Sequence, residues 1–301
     1  MSPIGSSRKA GIALLVLIPL SLATTTAWVL SDHDPAPPKP STRPEPDLAA
    51  LRARLPLHGL LHATTDASRR VHEAEGRLTT ACMAAHGFRY DPAPMAPEGF
   101  GTSPSLFGVE TLDGPDGTGA PEPLPSERPR DEEFDQALYG DPDQRISARN
   151  KVLEVTRPAT GCLAEAQTRL LGEGGRIRDL TLRMRLDQGE RDTLRDLEKD
   201  PAFRAAEARW RACAERAGVT AGNPRELAAG LPLGTDPATH PSVRADVECK
   251  ERTGYLERAY TRLAAVQERW VEENRKPVAE WKALRLRETR AAGQVLDTGG
   301  R

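Results

Sequence analysis

The chain has 301 residues, of which 29% are charged and only 4% aromatic, and its 42 basic residues nearly balance its 44 acidic ones. A core with so few aromatics must rest on Leu, Ala and Val, which argues for packed helices and against a β-sandwich. The two signs of charge are interspersed rather than blocked, which excludes the basic footprint of a nucleic-acid binder.

Residues 1–31 read as an export signal or a membrane anchor. After Arg8 and Lys9 no charged residue appears until Asp32, and residues 12–22 are mostly Leu, Ile and Val. At about 1.5 Å per residue the uncharged run reaches about 30 Å as a helix, the thickness of a bilayer core. Trp28 sits where an anchored helix meets the interface. Ser21-Leu22-Ala23 and Thr25-Thr26-Ala27 offer the small residues that a signal peptidase needs. The anchor is the preferred reading and the cleaved signal the alternative; both deliver the rest of the chain outside. The expected location is the cell membrane, single-pass with the C-terminal domain outside, or secretion after cleavage. No cysteine follows the apolar run before Cys82, so a lipid-modified N-terminal cysteine is excluded.

Residues 32–46 form a spacer with six prolines, which favour the semi-rigid polyproline II conformation. A helical extracytoplasmic domain is expected over 47–296, with a short tail over 297–301. Its first seam is Leu60, Thr64, Ala67, Val71, Ala74, Leu78, Ala81 and Ala85, at alternating spacings of four and three. The small residues in it imply close helix approach. Gly87 and Phe88 supply the left-handed and apolar positions of a Schellman stop.

Residues 90–130 break the pattern with nine prolines and six glycines. Apart from the spacer and the tail after Ala292, this loop is expected to be the most mobile part of the domain, yet Phe100, Leu106, Phe107, Val109 and Leu112 should draw part of it over the helices. Helical signal returns at Asp131-Glu132-Glu133, whose charges favour a helix N-terminus. Residues 145–156 are read as a further helical stretch, and Gly161 precedes the helix carrying Cys162, Ala166 and Leu170. A long helix follows Gly175 with Ile177, Leu180, Met184, Leu194 and Leu197 on its apolar side. Asp200-Pro201 caps the next one, where Phe203, Ala206, Trp210, Cys213 and Ala217 share a stripe. Asn223-Pro224-Arg225-Glu226 starts a short helix ending by Gly230. The last helix, from about residue 242, carries Cys249, Leu256, Ala259, Leu263, Val266 and Trp270 on its seam, and Pro277 should kink it before Trp281 and Leu284.

The fold class is therefore all-α: long helices packed as a bundle or as coiled-coil-like hairpins. Cys82 and Cys213 each stand five residues before a glycine at the end of a helical stretch, while Cys162 and Cys249 each follow a loop. Four cysteines allow three pairings. The repeated frame favours the sequential one, Cys82 to Cys162 and Cys213 to Cys249. Cys82 to Gly87-Phe88-Arg89-Tyr90, Gly161-Cys162-Leu163-Ala164-Glu165-Ala166, Trp210-Arg211-Ala212-Cys213, and Cys249 with Arg252, Thr253 and Gly254 resemble a group of uncharacterised, exported actinobacterial helical proteins, often lipoproteins. That resemblance carries no activity, and this chain departs from it in lacking a lipobox cysteine.

No catalytic, cofactor or metal site is assigned from the sequence. His58 and His62 stand at i and i+4, but no Glu follows His58 and no third ligand is indicated. His58, His72 and His86 recur at fourteen residues, about 21 Å apart on a straight helix, too far to share an ion. Asp113-Gly114-Pro115-Asp116-Gly117 lacks the ligand pattern of a calcium loop and reads as a turn. Trp210, Trp270 and Trp281 read as core.

Two function classes follow. One is a non-catalytic envelope protein, tethered by the N-terminal segment, that binds a protein partner or a cell-wall component through a charged helical face or the 90–130 loop. The other is a secreted enzyme or small-ligand binder with an inter-helix site. A pocket of several hundred Å³ with convergent polar groups would favour the second. The anchor is checked by mass spectrometry of the mature chain: the expected outcome is the encoded N-terminus in the membrane fraction, and a start at Thr24 or Trp28 contradicts it.

Overall fold

The computed structural model describes residues 47–95, 105–112, 131–232 and 234–298. The N-terminal run, the proline spacer, Phe100 and the 113–117 turn lie outside the described residues. Among the described residues, no helix is long and apolar enough to cross a membrane. The chain order is α1 (Leu48–Ala53), α2 (Pro56–Leu61), α3 (Asp66–Ala85), α4 (Glu132–Tyr139), β1 (Arg145–Arg149), β2 (Glu154–Pro158), α5 (Cys162–Leu171), α6 (Gly175–Leu197), α7 (Pro201–Arg216), α8 (Pro224–Ala229), α9 (Pro241–Thr253), α10 (Tyr255–Glu273) and α11 (Arg275–Thr298). The fold class is all-α.

Short polar side chains cap the start of five of the eleven helices among the described residues. Asp131 accepts from Glu133 N, Asp200 from Ala202 N and Phe203 N, and Asn223 from Glu226 N. Each takes a backbone donor that has no partner within its helix. At the other end, α3 and α7 close alike. Phe88 N donates to Met83 O and Val219 N to Ala214 O, both at 2.9 Å. Gly87 and Gly218 turn the chain at φ of 84° and 80°. These are the two Schellman stops of the repeated frame.

The structure departs from the sequence reading in four places. First, the seam from Leu60 to Ala85 is interrupted before α3, because Thr65 and Ser68 cap each other's backbone N–H groups. Within α3, Ala74, Thr79 and Met83 are buried while Ala81 and Ala85 face solvent. Second, residues 145–156 are no helix: β1 and β2 form an antiparallel hairpin with Ala148 opposite Val155. Asn150 Oδ1 accepts from both Val152 N and Leu153 N at 2.8 Å, which fixes the turn. Third, the final helical stretch is broken twice. Gly254 separates α9 from α10, and Asn274 separates α10 from α11. Pro277 lies in the first turn of α11, where its missing N–H costs nothing, and its clash with the carbonyl four residues back ends α10 upstream. Fourth, Ile177 and Ala217 are exposed. α6 buries more than one face: Leu180 and Met184 meet the hairpin, while Leu182 and Leu186 meet Trp270 and Trp281. No single stripe describes such a helix.

Both disulfides pair sequentially, Cys82 with Cys162 and Cys213 with Cys249, with Cα separations of 5.6 and 5.7 Å in the ordinary range. Closing loops of this length constrains the unfolded chain by about 4 kcal/mol each in the chain-entropy account. The two frames are not identical. Cys162 is the first residue of α5, whereas Cys249 lies late in α9.

Packing concentrates the scarce aromatics. Phe107, Phe203, Trp210, Tyr255 and Tyr260 share one cluster with α1, α7, α9 and α10. Phe107 is fully buried, with Tyr260 edge-on at 5.0 Å, so residues 105–112 of the Pro- and Gly-rich loop do drape over the helices. Buried charge holds them there. Glu110 accepts from Leu106 N, Phe107 N and Tyr260 Oη, and pairs with Arg52 at 2.7 Å. Lys250 Nζ donates to Val109 O at 2.6 Å and to Asp246 at 2.7 Å, and Trp210 Nε1 donates to the other oxygen of Asp246. Burial pulls Asp246 and Lys250 each toward its neutral form, and their attraction opposes it.

A second cluster joins Leu57, Leu171, Leu186, Trp270, Trp281 and Leu284. Gly189 is required there, because a Cβ would stand 2.5 Å from the Trp270 ring. A third, between α3, α5 and α11, is built on Ala74, Leu170 and Ala292, the close approach that the small seam residues imply.

Lys250→Met strands the Asp246 carboxylate and is expected to cost about 3–5 kcal/mol, read by urea unfolding. The double change Asp246→Leu with Lys250→Met should recover at least half of that loss. A single variant within about 1 kcal/mol of the parent contradicts the buried-pair account.

Candidate ligand cleft

The helices that meet at the small residues of α3 and α11 part on one side, leaving a cleft of about 840 Å³ between α2, α3, α5, α6, α11 and the hairpin. Its apolar wall includes Leu60, Leu61, Val71, Leu163 and Trp281. Its polar lining holds five cations, Arg157, Arg176, Arg183, Lys282 and Arg285, against three carboxyl groups, Glu75, Asp179 and Glu288.

Arg285 organises one side. Spaced four residues after Trp281 on α11, its guanidinium lies 4.4 Å from the indole ring, pairs with Glu288 at 2.9 Å and reaches across to Asp179 of α6. Trp281 is itself fixed by Nε1 donating to Leu60 O at 3.0 Å. The opposite side is set by Arg176, which donates to Ala159 O at 2.9 Å and to Pro158 O, tying α6 to the end of the hairpin. Gln167 donates to Glu75 at 2.9 Å across α5 and α3. Arg157 and Lys282 are exposed, with no hydrogen-bond or ion-pair partner among the described residues. The Nε atoms of Arg176 and Arg285 are buried and likewise lack an acceptor there.

The carboxyl groups are shifted by the same surroundings. Burial pushes Glu288 up from 4.5 to about 7, against the pull of Arg285 and with the repulsion of Asp179 and Glu75. Burial raises Asp179 too, although Arg285 and Arg183 oppose it. Near neutral pH the cleft therefore carries less negative charge than its three carboxyl groups suggest.

The residues singled out from the sequence lie mostly elsewhere. His58 and His62 bring their rings to 5.8 Å, and His62 Nε2 contacts Glu190 Oε1 at 3.0 Å. His72 lines the cleft and contacts Ala93 O at 3.0 Å. Trp210, Trp270 and Trp281 are buried, with Trp210 in a different cluster from the other two; Trp281 also borders the cleft. Among the described residues, the one group of metal-binding type is Cys82, His86 and Cys162, whose two sulfurs are already bonded to each other. Arg285 and Asp179, 106 residues apart, escaped sequence reading because no local spacing links them.

The chain matches no protein-family model, no curated protein and no solved structure. The functional reading therefore rests on the cleft's own geometry.

Glu288 binds a proton more tightly in the folded chain than in the unfolded one, so its contribution to stability is complete below about pH 4.5 and is lost as pH rises through about 7. Asp179 acts in the same direction. Glu288→Gln is expected to flatten the fall and to stabilise the protein at pH 8 by on the order of 2–3 kcal/mol, with little change at pH 4.5. Thermal melts across that range check this; an unchanged profile contradicts the buried protonated carboxyl.

Proposed function

We propose that the exported domain is a non-catalytic binding protein that takes a small organic anion into the cleft between α3, α6, α11 and the hairpin. The observation that carries this reading is the excess of cations lining the cleft, five against three carboxyl groups, of which burial pushes Glu288 and Asp179 toward their neutral forms. The excess of cations supports the sign of the ligand, and Trp281 with Leu60 and Leu61 supports an organic body behind the charge. Arg157, whose charge also attracts Asp179, and Lys282, without an ion-pair partner among the described residues, stand exposed at the cleft, suited to steer an anion inward. The tether, if the N-terminal segment is an anchor, would hold this cleft outside the membrane.

The protein-interaction reading has its own observation. At the tip of the hairpin Val152 is 86% exposed and Leu153 50%, a costly placement for two neighbouring apolar side chains. They suit a protein or wall partner that covers the tip.

Thermal shift with a panel of carboxylates, phosphates, neutral sugars and amines tests the ligand reading. Stabilisation by an anion, and not by the neutral or cationic compounds, is expected. Arg157→Gln and Lys282→Gln should each weaken that binding about tenfold, the loss of one charge contact of about 1.4 kcal/mol, while leaving the ligand-free melt unchanged. A panel in which no anion shifts the melt, or shifts that both variants retain in full, contradicts it.

A further inference from the structure

The two disulfides sit in unlike surroundings. Cys213 and Cys249 are both 1% exposed and sealed in the aromatic cluster. Cys82 is half-exposed and borders a second cleft of about 600 Å³, between α3 and α5, together with Leu78, Glu165 and Arg169. Its partner Cys162 is fully buried behind it. A reagent from solvent therefore meets one sulfur of this bond and not the other.

We propose that the Cys82–Cys162 bond is a thiol–disulfide exchange site, attacked at Cys82 by an exported dithiol. Three features of the site fit this role. Cys162 is the first residue of α5, and Gly161 before it provides no side-chain cap, so Cys162 stands at the uncapped N-terminus of a ten-residue helix. Helix N-termini stabilise a thiolate there, which makes Cys162 the better leaving group. Cys82 lies in the last turn of α3, where negative charge is disfavoured, so the same electrostatics direct attack to Cys82. Finally, a ring nitrogen of His86 lies within 4.8 Å of both sulfurs, placing a proton donor and acceptor beside the bond. Among the described residues no such group accompanies the other disulfide, whose Cys213 sulfur receives Arg252 at 3.5 Å.

The step balances as follows. One thiolate of the dithiol attacks Cys82 Sγ, the bond between the two cysteine sulfurs breaks, and its electron pair leaves on Cys162, which takes a proton by way of His86. The second thiol of the reagent, deprotonated, attacks its neighbour's sulfur in the mixed disulfide and releases Cys82 as a thiolate, which is then protonated. The dithiol is oxidised to its cyclic disulfide, and the two cysteines gain two electrons and two protons.

The test uses the full exported chain in its oxidised form. Limiting dithiothreitol is added, samples are quenched with iodoacetamide, and each cysteine is quantified by peptide mass spectrometry. Cys82 and Cys162 are expected to be alkylated at least about tenfold faster than Cys213 and Cys249, and His86→Ala to slow the first pair about tenfold while leaving the second unchanged. Glutathione, which has a single thiol, should be trapped on Cys82, with the alkyl group on Cys162. Equal reduction of the two bonds, faster reduction of Cys213–Cys249, or a glutathione adduct on Cys162 overturns the proposal. An unchanged rate in His86→Ala overturns the role of the imidazole, and should that variant not fold, the order of reduction and the adduct position in the parent chain decide.

Discussion

The ion pair between Asp246 and Lys250 is buried to within 1% of complete exclusion from solvent, one turn apart on α9. Such a pair is tolerated only where its remaining hydrogen-bonding capacity is met. Trp210 meets one side from α7 and the Val109 carbonyl meets the other from the loop. The pair therefore does more than hold α9 to α7. It requires a backbone carbonyl from a segment with no secondary structure, and so fixes where residues 105–112 must lie. Phe107 then enters the aromatic cluster, and Glu110 reaches Tyr260 and Arg52, which brings α1 onto α10. One buried pair sets the position of a loop, and the loop completes the core.

The other end of the fold solves the opposite problem. Small residues let α3, α5 and α11 approach closely at Ala74 and Ala292, but large side chains at Trp281 and the arginines hold the same helices apart beyond that point. The space between them is lined by charge that the helices cannot fully neutralise among themselves. Arg285 bridges α6 and α11 through Asp179, yet keeps a buried Nε–H unmatched, and Glu288 beside it is driven toward its protonated form. A purely structural cross-link would be satisfied more completely. The unmatched donors are what set this cleft apart from the buried network at the other end, where each polar group of the ion pair has its partner.

Much of the architecture was legible in the sequence because its signals are local. Asp200-Pro201, Asn223-Pro224 and the Cys-to-Gly frames each span only a few residues, and each marks a helix end where expected. The hairpin was misread because its alternation is short, only Ile146 and Ala148 against Val155, and the turn depends on a single asparagine. The two-faced burial of α6 was missed because packing on opposite sides erases a stripe. Glu110 gave no signal at all: it sits in a loop, and Tyr260 lies 150 residues away. The cleft was illegible for the same reason, since its charged groups come from α3, α6, α11 and the hairpin, and only the fold brings them together. The disulfide pairing was readable as an arrangement, but the difference in exposure between the two bonds was not.

The central claim is that the cleft takes an anion among its arginines beside Trp281. Heteronuclear NMR of the labelled domain, titrated with citrate and with orthophosphate, observes those groups directly. The account predicts saturable shifts of the Arg285 and Arg176 Nε–H signals and of the Trp281 indole N–H by at least one of the two anions, with the Trp210 indole, held on Asp246, unmoved. Arginine and Trp281 signals that stay fixed with both anions, or that move no more than that of Trp210, would contradict it.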